Sequence, residues 1–240
     1  AGVASYDVSD PSNPILLDVI TSELDGSAPF LLFLPNKGAY EPAVWGHNVV
    51  YGSEDVKKPH LKKVDFSDPR KLKLVGELYD PLFSSQPPLG AARYQQFQDE
   101  YLFTGNVKID MRNFSVVRGL VPNTSNTRIS EYNLPIGNLV VIGEHNGSNG
   151  GKAHIVAHQS APDTRAPFVN YHNPVANAKN MHVKSRIGVV IPESLDTLTI
   201  NANNFIVRPF EGQPISGTLT YTDKDIINFA PDEPLQDNTT

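Results

Sequence analysis

An internal repeat constrains this chain more than any other feature. Residues 5–17, SYDVSDPSNPILL, align without gaps on residues 63–75, KVDFSDPRKLKLV. Both read apolar–Asp–apolar–Ser–Asp–Pro, then three residues, then an apolar-rich run. Tyr6 and Val8, and again Val64 and Phe66, alternate with polar neighbours, which is the period of a strand. Ser-Asp-Pro forms turns, because Asp bonds nearby backbone amides and Pro fixes φ. Each copy therefore predicts strand, tight turn, strand. Asp7 and Asp65 are 65 − 7 = 58 residues apart, more than the roughly 40–50 residues of many β-rich repeat units. An insertion is expected between them, at residues 24–40.

A third copy, degenerate, lies at residues 100–120. It keeps the apolar–Asp–apolar core in Ile109, Asp110 and Met111 and replaces the Ser-Asp-Pro turn with Arg112, Asn113 and Phe114. Strands are expected ahead of the second and third copies, at 48–51 (NVVY) and 100–104 (EYLFT). A further pair is expected at 138–143 (NLVVIG) and 153–158 (AHIVAH). The 20 Pro and 17 Gly are spread along the chain, as many short strands joined by turns require. No segment holds the 3.6-residue period for three turns without Gly or Pro, so an all-β fold almost free of helix is expected.

The phrases YDVSDPSNPILL and KVDFSDPRKLKLVGEL resemble the LVIVD-type repeats of bacterial extracellular β-propellers. The likeness covers roughly residues 1–160. It implies about three blades and a closing strand, fewer than the roughly four to eight of a closed propeller. Further blades are then expected ahead of Ala1. The absence of an initiating Met or a signal peptide fits a processed or partial form.

Composition shifts at residues 160–167, SAPDTRAP, a Pro-rich, linker-like stretch. Downstream, short apolar runs at 168–171, 187–191, 205–207, 217–221 and 226–229 have the spacing of a β-sandwich. The order of phrases here is similar to that of bacterial Ig-like domains of surface and S-layer-associated proteins. It opens on Asp163, Thr164 and Pro167 and passes through Pro192–Asp196 and Asn204–Val207. It then reaches PISGTLTY at 214–221 and ends on Phe229–Leu235. Ile191-Pro192 departs from the Phe-Ser usual in that family. The resemblance also implies a last strand beyond Pro234-Leu235, so the module is expected to lack an edge strand. The expected organisation is incomplete propeller blades over 1–160 and an Ig-like β-sandwich over 161–240.

Several chemistries are excluded or disfavoured. The net charge is −6 with no basic stripe, against a phosphate-neutralising nucleic-acid surface. No apolar run approaches the roughly 18 residues of a membrane span. The oiliest, PFLLFLP at 29–35, reads as a buried strand or loop plug. Without Cys there is no disulfide scaffold, thiolate zinc site or Cys nucleophile. No G-x-S-x-G elbow occurs. The Gly- and Asn-rich stretch 144–152 lacks the Gly-Lys-Ser/Thr of a phosphate loop and reads as a long hairpin loop. The triplets at Asn123 and Asn238 fit the glycosylation pattern, which carries little weight in a bacterial-type protein.

Among the seven His, His154 and His158 are four apart with His145 upstream. On a strand they share a face through period two, which makes His145, His154 and His158 a candidate metal set. No Glu follows His154 as a zinc-hydrolase helix would need, and the competing reading is a half-buried strand whose histidines have polar partners. Trp45, the only Trp, lies beside His47. The pair is a candidate sugar-stacking site, against a core aromatic at the start of a strand. The repeated Asp7/Asp10 and Asp65/Asp68 could ligate Ca²⁺ but fit turn capping better. No catalytic residue and no cofactor are expected.

The sequence reads as a non-catalytic, extracellular or cell-surface scaffold or binding segment of a larger modular bacterial protein. Its expected partners are a protein or glycan ligand and missing strands, supplied by the same polypeptide or a neighbouring subunit through strand addition. The alternative is an accessory region of a large secreted enzyme or toxin with its catalytic domain elsewhere.

Overall fold

The computed structural model describes residues 2–8, 10, 12–21, 39–53, 60–79, 94–105, 107–120, 130–144, 153–222 and 226–237. Most of the insertion at 24–40, the oily run at 29–35, the loop at 145–152 with His145, and both Asn triplets lie outside them. The fold is all-β. Among the described residues the only helical segment is one 3₁₀ turn, Thr197–Thr199. The chain forms two compact units, one of Ala1–Asp7 with Ile15–Arg165, the other of Val8–Pro14 with Ala166–Thr240.

Among the described residues, four antiparallel sheets make the first unit. Strands β1 (Gly2–Asp7) and β2 (Ile15–Thr21) form a two-stranded sheet. Strands β3 (Ala39–Trp45), β4 (Asn48–Ser53), β5 (His60–Asp65) and β6 (Lys73–Tyr79) form a four-stranded meander. A second meander joins β7 (Gln96–Gln98), β8 (Tyr101–Thr104), β9 (Val107–Asp110) and β10 (Ser115–Gly119). The last sheet is β11 (Ser130–Ile136), β12 (Leu139–Glu144) and β13 (Ala153–Ala157).

The three sequence copies are three hairpins, β1–β2, β5–β6 and β9–β10, with the repeated Asp closing each first strand. The registers match residue for residue. Asp7, Asp65 and Asp110 pair with Ile15, Lys73 and Ser115, and the next pairs are Tyr6–Leu16, Val64–Leu74 and Ile109–Val116. One residue of the second strand, Leu17, Val75 or Val117, is then skipped as a bulge. A bulge at the same step in all three re-aims the outer strand identically each time.

The tight turns leading into β4, β8 and β12 recur as well. Gly46, Asp99 and Gly137 each open a two-residue turn at φ of 55°, 52° and 59°, the left-handed value such hairpins demand. In all three sheets the residue just past the third strand, Phe66, Met111 or His158, donates its N–H to the second turn residue, His47, Glu100 or Asn138. Residues in the third sheet are thereby aligned with those in the two meanders.

Burial on both faces explains why the inner strands read as near-continuous apolar runs. Tyr51, Val64 and Leu72 pack with Val3 and Ile20, joining β1–β2 to the first meander. Val50 and Leu61 meet Phe97, Leu102, Val107, Ile109 and Met111, joining the two meanders. Phe103 and Leu120 meet Val140 and Ile142, joining the second meander to β11–β13. The sheets thus lie face against face in chain order.

The second unit holds one antiparallel sheet in the order β14–β15–β17–β16, from β14 (Tyr171–Asn173), β15 (Ile187–Val190), β16 (Gly217–Thr222) and β17 (Ile226–Pro231). Ile227 and Phe229 of β17 are buried in it. Two expected strands differ. The run at 168–171 enters the sheet only at Tyr171, and 205–207 forms no strand. In the turn just before it the Asn201 side chain accepts from the Asn203 N–H, and the Asn204 side chain accepts from the Asn201 N–H and donates to the Thr199 carbonyl, and Pro209 lacks an amide hydrogen. Local bonding of this kind competes with ladder formation. Phe205 still stacks on Phe229, with centroids 6.4 Å apart.

Candidate functional site

Among the described residues, a polar cluster of the first unit lies at the turn end of the last two sheets. It begins with Lys108, which the alternation along β9 turns away from Val107 and Ile109 and toward β11–β13. Lys108 is 5% exposed. Its Nζ sits 3.7 Å from the Tyr101 ring centroid and 3.1 Å from His158 Nδ1. His158 Nε2 lies 2.9 Å from the Gly137 carbonyl oxygen. A carbonyl only accepts, so Nε2 carries the proton and Nδ1 accepts from the ammonium. The imidazole is neutral. Burial holds its pKa below the ordinary value against the upward pull of the Gly137 bond, and the nearby Lys108 charge lowers it further. Burial also lowers the pKa of Lys108, helped by Arg118, while Glu100, Asp99 and Asp110 pull it back up.

Gln98 adds a second tie. Its Nε2 donates to the same Gly137 oxygen at 2.7 Å and to Asp163 Oδ2 at 2.8 Å. Asp99 is buried beside it, and burial, then Asp163, raises the pKa of its carboxyl. Arg165 Nε stands 3.6 Å from Asp99 Oδ1, and the same guanidinium pairs with Glu100. Arg112 bridges Glu100 at 3.1 Å and Asp110 at 2.5 Å. Gln98 Oε1 and Asp99 Oδ1 find no hydrogen-bond partner among the described residues. Taken together, the cluster is a joint. It ties the β7–β8 turn to the β11–β12 turn and to the segment that follows β13.

The histidines expected to share a strand face do so in part. His154 lies on β13 opposite Ile142, two residues from the inward-facing Val156, and His158 follows on the same face. Both His158 ring nitrogens are engaged by protein. His145 lies outside the described residues, and among those residues no group of three His, Cys, Asp or Glu could hold a metal. Trp45 packs into the core between the meanders, 5.3 Å from the Phe97 centroid. His47 lies edge-on to Phe66, 6.2 Å away, and Phe66 packs with the cluster on the other face of that sheet. The structure does not bring Trp45 and His47 to one face. The repeated Asp side chains cap turns. Asp65 accepts from Ser67 N–H at 2.8 Å and Asp110 from Arg112 N–H at 2.9 Å. Asp10 and Asp68 do the same for Ser12 and Arg70, both at 3.0 Å.

Sequence reasoning missed Lys108, Gln98, Asp99 and Arg165. In VKID, Lys108 has the alternation of a solvent-facing residue, and nothing local shows that a further sheet covers that face.

The second unit's antiparallel sheet, with Phe229 buried on β17, lies within the residues whose phrase order was distinctive. Residues 163–240 match the bacterial Ig-like domain family. No curated protein and no solved structure matches the chain. The comparisons give no support to an LVIVD-type family for the first 160 residues, and no closed propeller is formed among the described residues. Bacterial Ig-like domains are typical of surface proteins, and the match at 163–240 suggests a modular, surface-associated setting for this unit. No helix among the described residues is long and apolar enough to cross a membrane.

Proposed function

We propose that this is a non-catalytic, extracellular scaffold and binding segment of a larger bacterial surface or secreted protein. The bacterial Ig-like match at 163–240 carries this reading, since such domains act as spacers and docking modules. The two meanders are read as propeller blades, with β1–β2 and β11–β13 as incomplete ones. Their serial face-to-face packing and recurring bulge support that reading, as does a polar joint spent on tying sheets together. Its partners are the rest of the same polypeptide or neighbouring subunits, engaged by strand addition. The ligand is a protein or glycan held by loops at the sheet ends.

Antibodies raised against residues 1–240 test the location. They should label intact cells that express the native protein, and protease added to those cells should remove the signal. Labelling only after lysis would overturn the reading.

A further inference from the structure

His158 is the first residue past β13, and β13 is an outer strand of its sheet. Three bonds hold it there. Its backbone N–H donates to the Asn138 carbonyl at 3.0 Å. Its Nε2–H donates to the Gly137 carbonyl at 2.9 Å, and its Nδ1 accepts from the Lys108 ammonium at 3.1 Å. The ring also stands edge-on to Phe103, with centroids 4.9 Å apart, and the residue is buried. Every one of these partners belongs to the first unit.

This arrangement leaves no place for a second ring proton. A proton on Nδ1 would point at an ammonium, which has three donors and no acceptor. The charges that face the ring are Lys108 from β9 and Arg118 from β10, both positive, and Asp163 from the segment after β13. Asp163 attracts a charged ring, but its Oδ2 already accepts from Gln98 at 2.8 Å. Two like charges in contact and out of water repel strongly, so one of the pair must yield. Lys108 is the better held. It lies on an inner strand of its sheet, its Nζ is 3.7 Å from the Tyr101 ring centroid, and Glu100, Asp99 and Asp110 attract its charge. His158, at the end of an outer strand, is the one free to move.

We propose that His158 is an acid-released latch. Neutral, it docks the start of segment 158–165 against the second meander and the β11–β12 turn. Protonated, it leaves its place and frees that stretch of chain while the sheets stay folded. Release falls below pH of about 6.5, the ordinary histidine value, because burial and the Lys108 charge resist protonation of the docked ring. The docked form is therefore stable above that value and is lost as the pH falls through the lower folded one.

The chain has no Cys, so a single fluorophore on Ala161→Cys, an exposed position within the segment, reports its motion. In residues 1–240 the anisotropy of this label should fall reversibly between neutral and mildly acidic pH. The fluorescence of Trp45, packed 5.3 Å from Phe97 in the core of the first unit, should stay unchanged over the same range. His158→Gln donates to Gly137 and accepts from Lys108 at every pH, so in that background the anisotropy should stay high throughout. An equal fall in His158→Gln would assign the motion to the neighbouring carboxylates and overturn the proposal. So would a constant anisotropy in the parent, or a fall that comes only with loss of the Trp45 signal. If circular dichroism shows that His158→Gln does not fold, the His158 ring signal in NMR takes its place. That signal should titrate at the same midpoint as the anisotropy, and a separate midpoint would overturn the proposal.

Discussion

His158 is the residue on which the joint turns, and its chemistry has a sign. Its pKa is depressed in the folded state, so below the unfolded value of about 6.5 the unfolded chain takes up a proton that the fold resists. The stability that neutral His158 confers is present above that value and is lost as pH falls from it toward the folded pKa. His158→Gln keeps a donor for Gly137 and an acceptor for Lys108 but does not titrate. The wild type should therefore lose stability relative to His158→Gln between neutral and mildly acidic pH, as followed by urea unfolding. Parallel pH profiles would refute the assignment. His158→Leu, which strips the buried ammonium of its acceptor, should cost on the order of 2 kcal/mol at neutral pH. Of this site the sequence discloses the shared face of His154 and His158 through strand alternation. It does not disclose Lys108, because alternation shows which side a residue takes and not whether another sheet lies there.

At the scale of elements, the repeat is legible because its physics is local. The Asp side chain caps the turn within two residues, and the bulge follows within the same hairpin. Asp65→Ala removes the bond to the Ser67 amide and should cost about 1 kcal/mol, read as a lowered denaturation midpoint. The packing of one sheet on the next is not local, and Gly76 illustrates this. On β6 it pairs with Lys63 of β5, and a Cβ there would stand 2.8 Å from Phe114 Cδ1 in the neighbouring sheet. Gly76→Ala should force that ring aside at about 1–3 kcal/mol. Phe114→Leu in the same chain should recover part of the loss, and no recovery would mean that the contact is not the cause. The failed strand at 205–207 has the same lesson from the other direction. Its apolar pattern is right for a strand, but the Asn-rich turn before it and Pro209 after it decide the backbone.

For the whole molecule, an almost helix-free fold should give a far-UV circular dichroism spectrum well below the roughly one-third helix of an average domain. The division into two units permits a sharper test, because each unit has a probe of its own. Trp45, the only Trp, is packed on Phe97 inside the first unit, so its fluorescence follows that unit alone. Gly217 lies in the second unit, where β16 crosses Phe229. A Cβ there would come within 2.6 Å of the Ala230 carbonyl oxygen, and closer still to the Phe229 ring. The carbonyl belongs to the backbone of the paired strand and cannot swing away as a side chain can. Gly217→Ala should therefore destabilise the second unit by about 3 kcal/mol, the upper part of the range for overpacking. Domains with separate cores unfold as separate cooperative blocks. The calorimetric transition of the second unit should then move to lower temperature, while the Trp45 fluorescence transition stays in place. If Trp45 fluorescence shifts by the same amount, the two units unfold as one block, and the spacer role read from the Ig-like unit loses its physical basis.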